Sequence, residues 1–557
     1  MNQAYSRLRD ALPKPGKHGG QAFPTDVRRV RNWVEHLPRA NLQATLRQVS
    51  EALEALLQEP LRGNRRAELL EELRPPALEC IVALQRQFAS ASLPLGGRQA
   101  EQAASALHLH ELLSRGYALA CVEITAPEGR VPMMGARAVT TAIERGMHHA
   151  LQRLALAYEI YSTPPAGAWS DLHRLHAVAD ATAVADRAVA DPARGADTSA
   201  AMVYAQAALL AISNPYRFTQ RDQAALWTLT RDLAPNCRVD RERPAAGGFA
   251  VPTGGDEGPG YIPEERVEVA EDAMWLDLGL LPAALDAALP GGSGGEVLLR
   301  VGRGRGIVAP TDLLRMVRAS WEQSAARGHQ RMEAGHVLDT VVGLSSLHFH
   351  LAGRQDFDTF MQFVRGNVVR VESATAAWTH ASVSMGEVPI ARARVLDQSL
   401  GGYRLRWDSD QQIRARVGEL IGMAVAAEDD LRDWMVGRVR WLRYEPDGAV
   451  HAGIELMARR AVAVAVRGLD GRGAAMPAVR ALQLDAIANP GHEAVRLLVP
   501  TVLDVQASRI EIGRVGETVE AFETPMPAQS VFERMQVLEH AGDYYVLAAH
   551  SAVSRVA

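Results

Sequence analysis

Residues 393–407, ARVLDQSLGGYRLRW, narrow most strongly what this chain can fold into. They comprise two runs of strand-forming residues, and between the runs Asp397, Ser399 and Gly402 form the pattern D-x-S-x-x-G. Such residues are typical of turns, because short polar side chains hydrogen-bond the nearby backbone and glycine adopts conformations that other residues avoid. The segment therefore predicts two strands joined by a polar turn.

Further motifs surround this turn in a definite order. Arg327 and Arg331 precede it as R-x-x-x-R, just after a helix-like segment. Strand-like signatures follow it at residues 417–420, 437–441 and 452–456. Each motif alone is weakly specific, but the ordered set resembles the PilZ family, small β-barrels that bind the bacterial second messenger cyclic di-GMP. The resemblance covers roughly residues 327–469.

The resemblance implies a ligand site around the turn. Arginine suits this ligand because its planar fork bonds phosphate oxygens or guanine edges in pairs, and its face stacks on a base. By this resemblance, the Asp397 carboxylate and the Ser399 hydroxyl would contact guanine N–H groups or phosphate, and Gly402 would allow backbone freedom or close approach. The implied ligand residues are Arg327, Arg331, Asp397, Ser399 and Gly402, with Arg440 and Trp441 as weaker candidates.

The N-terminal part predicts helices. In residues 41–59 apolar side chains recur at steps of three and four, which places one apolar stripe on a helix, and Asn41 is available as its N-cap. Similar patterns continue to about residue 233, separated by Pro- and Gly-containing breaks. The pattern predicts an all-α domain, and it leaves open whether this domain is a bundle or an irregular solenoid.

The predicted fold class is α+β and multidomain, with an all-α N-terminal region and a PilZ-like antiparallel β-barrel near the C-terminus. We expect an all-α domain at 1–240, a linker with β segments and a connecting helix (311–326) at 241–326, and the barrel at 327–470. A strand is predicted at 337–351, followed by an insertion near 352–389. An additional β-rich unit is expected at 471–557.

Composition limits the possible partners and compartments. The net charge of −5 gives no electrostatic reason to expect DNA or RNA binding. The three cysteines are far apart in the sequence and odd in number, which favours a reducing compartment. Neither a signal peptide nor an apolar run long enough to span a membrane is present, so we expect a cytoplasmic protein. The histidines lack partners for a metal shell, so neither metal nor cofactor is expected.

One segment is similar to a catalytic motif. Gly254-Gly255-Asp256-Glu257-Gly258 is close to the diguanylate cyclase signature, but Pro252 precedes it and Pro259 and Gly260 follow, which indicates a loop rather than a catalytic hairpin. The leading hypothesis is therefore a non-catalytic cyclic di-GMP receptor. It would regulate motility, type IV pili or surface attachment through an unidentified protein partner bound by the helical domain. The alternative is a structural scaffold with a degenerate barrel that binds no nucleotide.

Overall fold

The computed structural model describes two compact units, Met1–Arg327 and Gly328–Ala557. Between residues 3 and 550 it describes the chain except for residues 15, 17–22, 90, 192–194, 196, 245–246, 265–269, 271, 290–293, 303–305, 324–331, 366–387, 412, 427–431, 471–472, 486–493, 506, 508 and 520–525.

The first unit begins with consecutive helices. Their bounds are α1 Gln3–Ala11, α2 Val27–Glu35, α3 Leu42–Gln58, α4 Arg65–Phe88, α5 Gly97–Thr125, α6 Ala136–Glu159, α7 Ala168–Ala181, α8 Ala200–Ile212 and α9 Gln220–Leu233. In α3, Asn41 caps the N-terminus by accepting a hydrogen bond from the amide of Ala44 at 3.1 Å. The stripe through Val49, Leu53 and Leu56 is buried, as the periodicity predicts.

The rest of the first unit packs on the same apolar core. It contains β1 Arg238–Asp240, β2 Gly248–Pro252, β3 Gly260–Ile262, β4 Ala273–Asp277, α10 Leu281–Ala288, β5 Glu296–Leu299, β6 Ile307–Pro310 and α11 Thr311–Gln323. Strands β1 to β4 form one sheet in the order β1-β4-β2-β3. Leu314, Val317 and Trp321 of α11 are buried in the core of the helices, so α11 is part of the first unit. No helix in the described part of the chain is long and apolar enough to cross a membrane.

The second unit contains an antiparallel barrel. Its elements are β7 Met332–Glu333, β8 Val337–Val342, α12 Leu344–Leu351, α13 Phe357–Arg365, β9 Ala391–Ser399, β10 Gly402–Trp407, β11 Leu420–Val425, β12 Met435–Tyr444 and β13 Val450–Ala458. The strands pair in the ring β8-β9-β10-β13-β12-β11, and β11 pairs back onto β8. The short β7 pairs with the C-terminal end of β9 on the same edge as β8. We call this ring the first barrel.

The expected strand at 337–351 is wrong in its second half. The strand ends at Val342, Gly343 has φ +91°, and α12 begins at Leu344. Leu344, Leu347 and His348 recur at helical spacing and are buried. Of the predicted insertion, α13 is described, whereas residues 366–387 lie outside the described residues.

A second antiparallel sheet follows. Its strands are β14 Ala461–Leu469, β15 Val479–Leu484, β16 Ala494–Pro500, β17 Arg509–Val519, β18 Met526–Phe532, β19 Arg534–Ala541 and β20 Tyr544–His550. They lie in the order β18-β17-β14-β15-β16-β20-β19. The predicted fold class, helices followed by an antiparallel barrel and further β structure, is confirmed. The four domain bounds remain a prediction. Strand β14 lies within the expected barrel segment 327–470, but it pairs with β15 and β17 of the second sheet.

Candidate ligand-binding site

The polar turn joins β9 and β10. Ser399 and Gly402 are cross-strand partners, and Leu400 and Gly401 form the turn between them. The Ser399 hydroxyl donates to the carbonyl oxygen of Gly402 at 3.5 Å, and the Leu400 side chain is 72% exposed. The turn therefore faces solvent with its hydroxyl close to the backbone.

Gly402 permits a close approach between two strands. A Cβ built on Gly402 would overlap the carbonyl oxygen of Ile454 on β13. A larger residue would push β10 away from β13, so glycine is required here for backbone proximity rather than for an unusual φ. The last residue of the D-x-S-x-x-G pattern thus has a definite structural task.

Asp397 lies beside an arginine that the sequence patterns do not single out. Its cross-strand partner on β10 is Arg404, and Arg404 Nη1 is 3.8 Å from Asp397 Oδ2. The next buried residues along β10, Leu405 and Trp407, face the barrel interior. Since side chains alternate along a strand, Arg404 lies on the outer face of the barrel.

Arg327 and Arg331 lie outside the described residues, so their positions remain a prediction. The described chain resumes at Met332, directly after Arg331. Met332 is the cross-strand partner of Gln398, and Glu333 is the partner of Asp397. The chain that follows the arginine pair therefore runs alongside the polar turn.

Gly453 on β13, which has no side chain, allows Arg404 and Trp441 to approach each other. Gly453 is the cross-strand partner of both, on β10 to one side and on β12 to the other. A Cβ on Gly453 would collide with the indole of Trp441, so the ring lies over this glycine. The guanidinium carbon of Arg404 lies 6.0 Å from the centre of the Trp441 ring, at cation–π distance.

Arg440 reaches the same face through a β-bulge. The register between β12 and β13 shifts between Val439 and Trp441, which leaves Arg440 as the extra residue. Its Nε lies 3.7 Å from Glu455 Oε2, and Glu455 is two residues from Gly453 on β13. Both weaker candidates thus lie on the outer face next to Arg404. We call the surface formed by Asp397, Ser399, Arg404, Arg440, Trp441 and Gly453 the hairpin face.

The hairpin face continues into a basic region around His451. Burial lowers the pKa of His451, the nearby Glu445 opposes this, and the positive charges of Arg404, Arg443 and Arg406 lower the pKa further. Of these arginines, Arg406 is held by Asp408 at 3.0 Å and by Asp447 at 2.7 Å. The buried Nε of Arg404 has no hydrogen-bond partner among the described residues. The Arg404 side chain as a whole is 35% exposed, so a ligand can reach its guanidinium only through the exposed part.

The sequence patterns missed Arg404 and Gly453. The signal for Arg404 is the alternation in YRLRW, where two arginines separate residues that become buried. No comparable signal marks Gly453, because its importance depends on which residues it faces across two neighbouring strands.

Comparison with known proteins agrees with this architecture. Residues 28–245 match the family model described as "Cyclic-di-GMP receptor FimW, N-terminal domain". Residues 249–385 and 367–462 match "Cyclic-di-GMP receptor FimW, middle PilZ domain". A curated relative, the cyclic-di-GMP receptor FimW of Pseudomonas aeruginosa, is 25% identical over 566 residues, which cover 93% of this chain and 91% of the relative. No solved structure matched. The resemblance inferred from the arginine pair and the polar turn is confirmed: the chain contains a PilZ domain within residues 249–462, and its N-terminal region matches the N-terminal domain of the same receptor.

Proposed function

We propose that this chain is a non-catalytic receptor for cyclic di-GMP, which it binds on the hairpin face. The observation that carries the proposal is the convergence of Asp397, Arg404 and Trp441 on the outer face of the first barrel. The chain that follows Arg327 and Arg331 pairs with β9 at Gln398 and Asp397. The similarity to a cyclic-di-GMP receptor over most of the chain supports the choice of ligand.

The chemistry of the hairpin face suits the parts of this ligand. A guanine base can stack on the indole of Trp441 or on an arginine plane. The Asp397 carboxylate can accept hydrogen bonds from guanine N–H groups, and the partly exposed guanidinium of Arg404 can donate to a phosphate oxygen or the guanine O6/N7 edge. Arg327 and Arg331, which precede β7 in the sequence, are proposed to give further charge-assisted hydrogen bonds to the nucleotide.

The helical region at 1–240 is the proposed contact for a protein partner in motility, type IV pili or surface attachment, in the cytoplasm. Its own family match, separate from that of the barrel, supports a distinct task for it. Partner affinity that is unchanged by cyclic di-GMP would contradict this output role, because a ligand regulates a partner only through a difference in affinity.

Calorimetric titration of the full chain with cyclic di-GMP, GTP and cyclic di-AMP tests the proposal. We expect saturable binding of cyclic di-GMP and a loss of about ten-fold or more in Arg331→Ala, since one charge-assisted hydrogen bond contributes about 1.5–3 kcal/mol. The matched control is Arg392→Ala, an exposed arginine at the opposite end of β9, which should bind normally. A folded wild-type chain that binds none of the three nucleotides would favour the scaffold alternative.

A further inference from the structure

The second sheet closes into a ring. Strands β18 and β19 lie at its two edges, but Glu533 alone separates them in the sequence. On one side of Glu533, Phe532 pairs with Ile510 of β17, and on the other side Arg534 pairs with His550 of β20. The two edges are therefore one bent strand that changes partner at Glu533, as strands do at barrel corners.

This ring repeats the strand order of the first barrel. If the strands of each ring are lettered a to f along the chain, the first barrel pairs as a-b-c-f-e-d and back to a, from β8 to β13. In the second ring β14, β15, β16 and β17 are a to d, β18 with β19 is e, and β20 is f. Its pairings give the same order a-b-c-f-e-d.

We infer that residues 461–550 form a second barrel of PilZ topology, which has lost the ligand face and serves as a fixed structural partner of the first barrel. Six antiparallel strands can be connected in many orders, so two adjacent rings with the same order in one chain point to a repeated unit. The loss of the ligand face follows from the side chains at equivalent positions.

The third residue of strand c is arginine in both barrels, Arg404 on β10 and Arg496 on β16, and each is followed by a fully buried leucine. The cross-strand partner of this arginine on strand b is Asp397 in the first barrel and the buried Leu484 in the second. The second barrel therefore keeps the arginine and replaces its acidic neighbour by an apolar one.

Strands f and e differ as well. The partner of the arginine on strand f is Gly453 in the first barrel and Ala548 in the second. Beyond it, on strand e, stand Trp441 in the first barrel and Gln536 in the second. The glycine gap, the indole it admits and the carboxylate are all absent at the equivalent described positions. Arg496 thus stands without the groups that would hold a nucleotide.

The second barrel is joined to the first by a common apolar core. One cluster of buried residues combines Leu420, Val436 and Ala458 of the first barrel with Leu482, Leu498 and Tyr544 of the second. Such a core is typical of a permanent association, because the side chains of each barrel complete the packing of the other.

Polar contacts and the chain itself tighten this junction. The Tyr544 hydroxyl donates to the carbonyl oxygen of Gly418 at 3.2 Å, and Arg438 of β12 forms an ion pair with Glu539 of β19. Only residues 459 and 460 connect β13 to β14. Helix α12 also places Leu347 against Gly422 of the first barrel, within the common core. The two barrels therefore behave as one folding unit with one ligand face.

Titration of two matched variants of the full chain tests the assignment of the ligand face, which rests on the proposed function. Arg404→Ala and Arg496→Ala remove the same residue type from equivalent positions. We expect cyclic di-GMP affinity to fall about ten-fold or more in Arg404→Ala and to stay within two-fold of wild type in Arg496→Ala. A loss in Arg496→Ala that equals or exceeds the loss in Arg404→Ala would overturn the assignment.

A second measurement needs no ligand and tests the common unit. Leu498→Ala leaves a cavity in the core that the two barrels share. Hydrogen exchange should accelerate in β11 and β12 of the first barrel as well as in β16. Acceleration confined to residues 461–550 would show that the barrels are independent and overturn the structural half of the inference. If the wild-type chain binds no cyclic di-GMP, the proposed function fails while this exchange result still decides whether the barrels form one unit.

Discussion

The buried arginines of the first unit and the arginines of the hairpin face have different tasks. Three buried arginines of the first unit donate hydrogen bonds to carboxylates at short distances. These pairs are Arg66 with Glu123 at 2.6 Å, Arg74 with Asp191 at 2.6 Å, and Arg145 with Glu144 at 2.7 Å. Removing a buried and paired guanidinium leaves its carboxylate buried without a counter-charge, and burial keeps such a guanidinium away from a soluble ligand.

On the hairpin face the arginines are partly exposed and their acidic partners are farther away. The side chains of Arg404 and Arg440 are 35% and 42% exposed, with ion-pair distances of 3.8 Å and 3.7 Å. The comparison teaches that residue type and spacing do not separate an arginine proposed to bind a ligand from a structural one, whereas burial of the side chain distinguishes the two groups.

Removal of a buried arginine should give the largest effect on stability. Arg74→Ala would leave Asp191, whose side chain is fully buried, without one of its cations, and we expect a loss of about 3–5 kcal/mol in the free energy of unfolding. Urea denaturation of the full chain measures it. The control is Arg31→Ala, which breaks a surface pair with Glu72 and should cost about 0.2–1 kcal/mol. Equal losses would break the distinction between the two kinds of arginine.

Acid should destabilise the buried polar network that contains Arg74. Arg74 Nε donates to His149 Nε2 at 3.3 Å, and His149 Nδ1 lies 3.0 Å from His110 Nδ1, so both histidines are neutral. Burial, with nearby positive charge, lowers the pKa of His110 to about 3 and the pKa of His149 well below its usual value. In the unfolded chain histidine has a pKa of about 6.5. As the pH drops below about 6.5, the unfolded chain therefore binds protons that the folded chain does not, and the free energy of unfolding falls.

The expected slope is about 1.4 kcal/mol per pH unit for each histidine. Urea midpoints measured between pH 7 and pH 5 would show it, because carboxylates with ordinary pKa values contribute little in that window. A His110→Asn variant should have a flatter profile. Stability that does not change between pH 7 and pH 5 would show that these histidines are not buried in the neutral form.

Substitution of Gly453 on β13 should give an effect of intermediate size, and it tests the hairpin face rather than a buried arginine pair. Gly453→Ala would displace the Trp441 indole, which should cost about 1–3 kcal/mol of stability and weaken cyclic di-GMP binding. Trp fluorescence during urea denaturation would measure the loss of stability, and calorimetry would measure the loss of affinity. Gly335→Ala is the control, since an added Cβ there meets no heavy atom within 4 Å. Unchanged affinity in Gly453→Ala would remove Trp441 from the site.

The smallest expected effect concerns an acid of the first unit. Asp256, in the cyclase-like segment, accepts hydrogen bonds from the amides of Gly167 and Ser170 at 2.6 Å and 2.9 Å, at the start of α7. Asp256→Ala should cost about 0.5–2 kcal/mol, as the loss of a helix cap does, without changing nucleotide binding. Asp256→Asn, which keeps one acceptor oxygen, should cost less. Weaker ligand binding in a stable Asp256→Ala chain would argue against a purely structural task.

Local patterns predicted the elements better than their assembly. The α3 stripe with its Asn41 cap and the strands on either side of the polar turn depend on neighbouring residues, so the sequence alone was sufficient for them. The strand predicted for residues 337–351 was too long, because its apolar residues suit a strand and a short helix equally. Only Gly343 marks the boundary between the two elements. The closure of the second ring depends on pairings between distant strands, which no local pattern reveals.

The candidate site divides in the same way. Asp397, Ser399 and Gly402 could be named because they share one turn. The contact between Arg404 and Trp441 depends on the register of three strands and on a glycine between them, so it could be found only in the structure.

The most direct test of the central claim is hydrogen exchange of the full chain with and without cyclic di-GMP. If the ligand binds the hairpin face, exchange should slow most in β9, β10 and β12, and by less in β16 and β19 at the equivalent positions of the second barrel. Protection that is absent from the first barrel, or confined to the second barrel or to Met1–Arg327, would contradict the account.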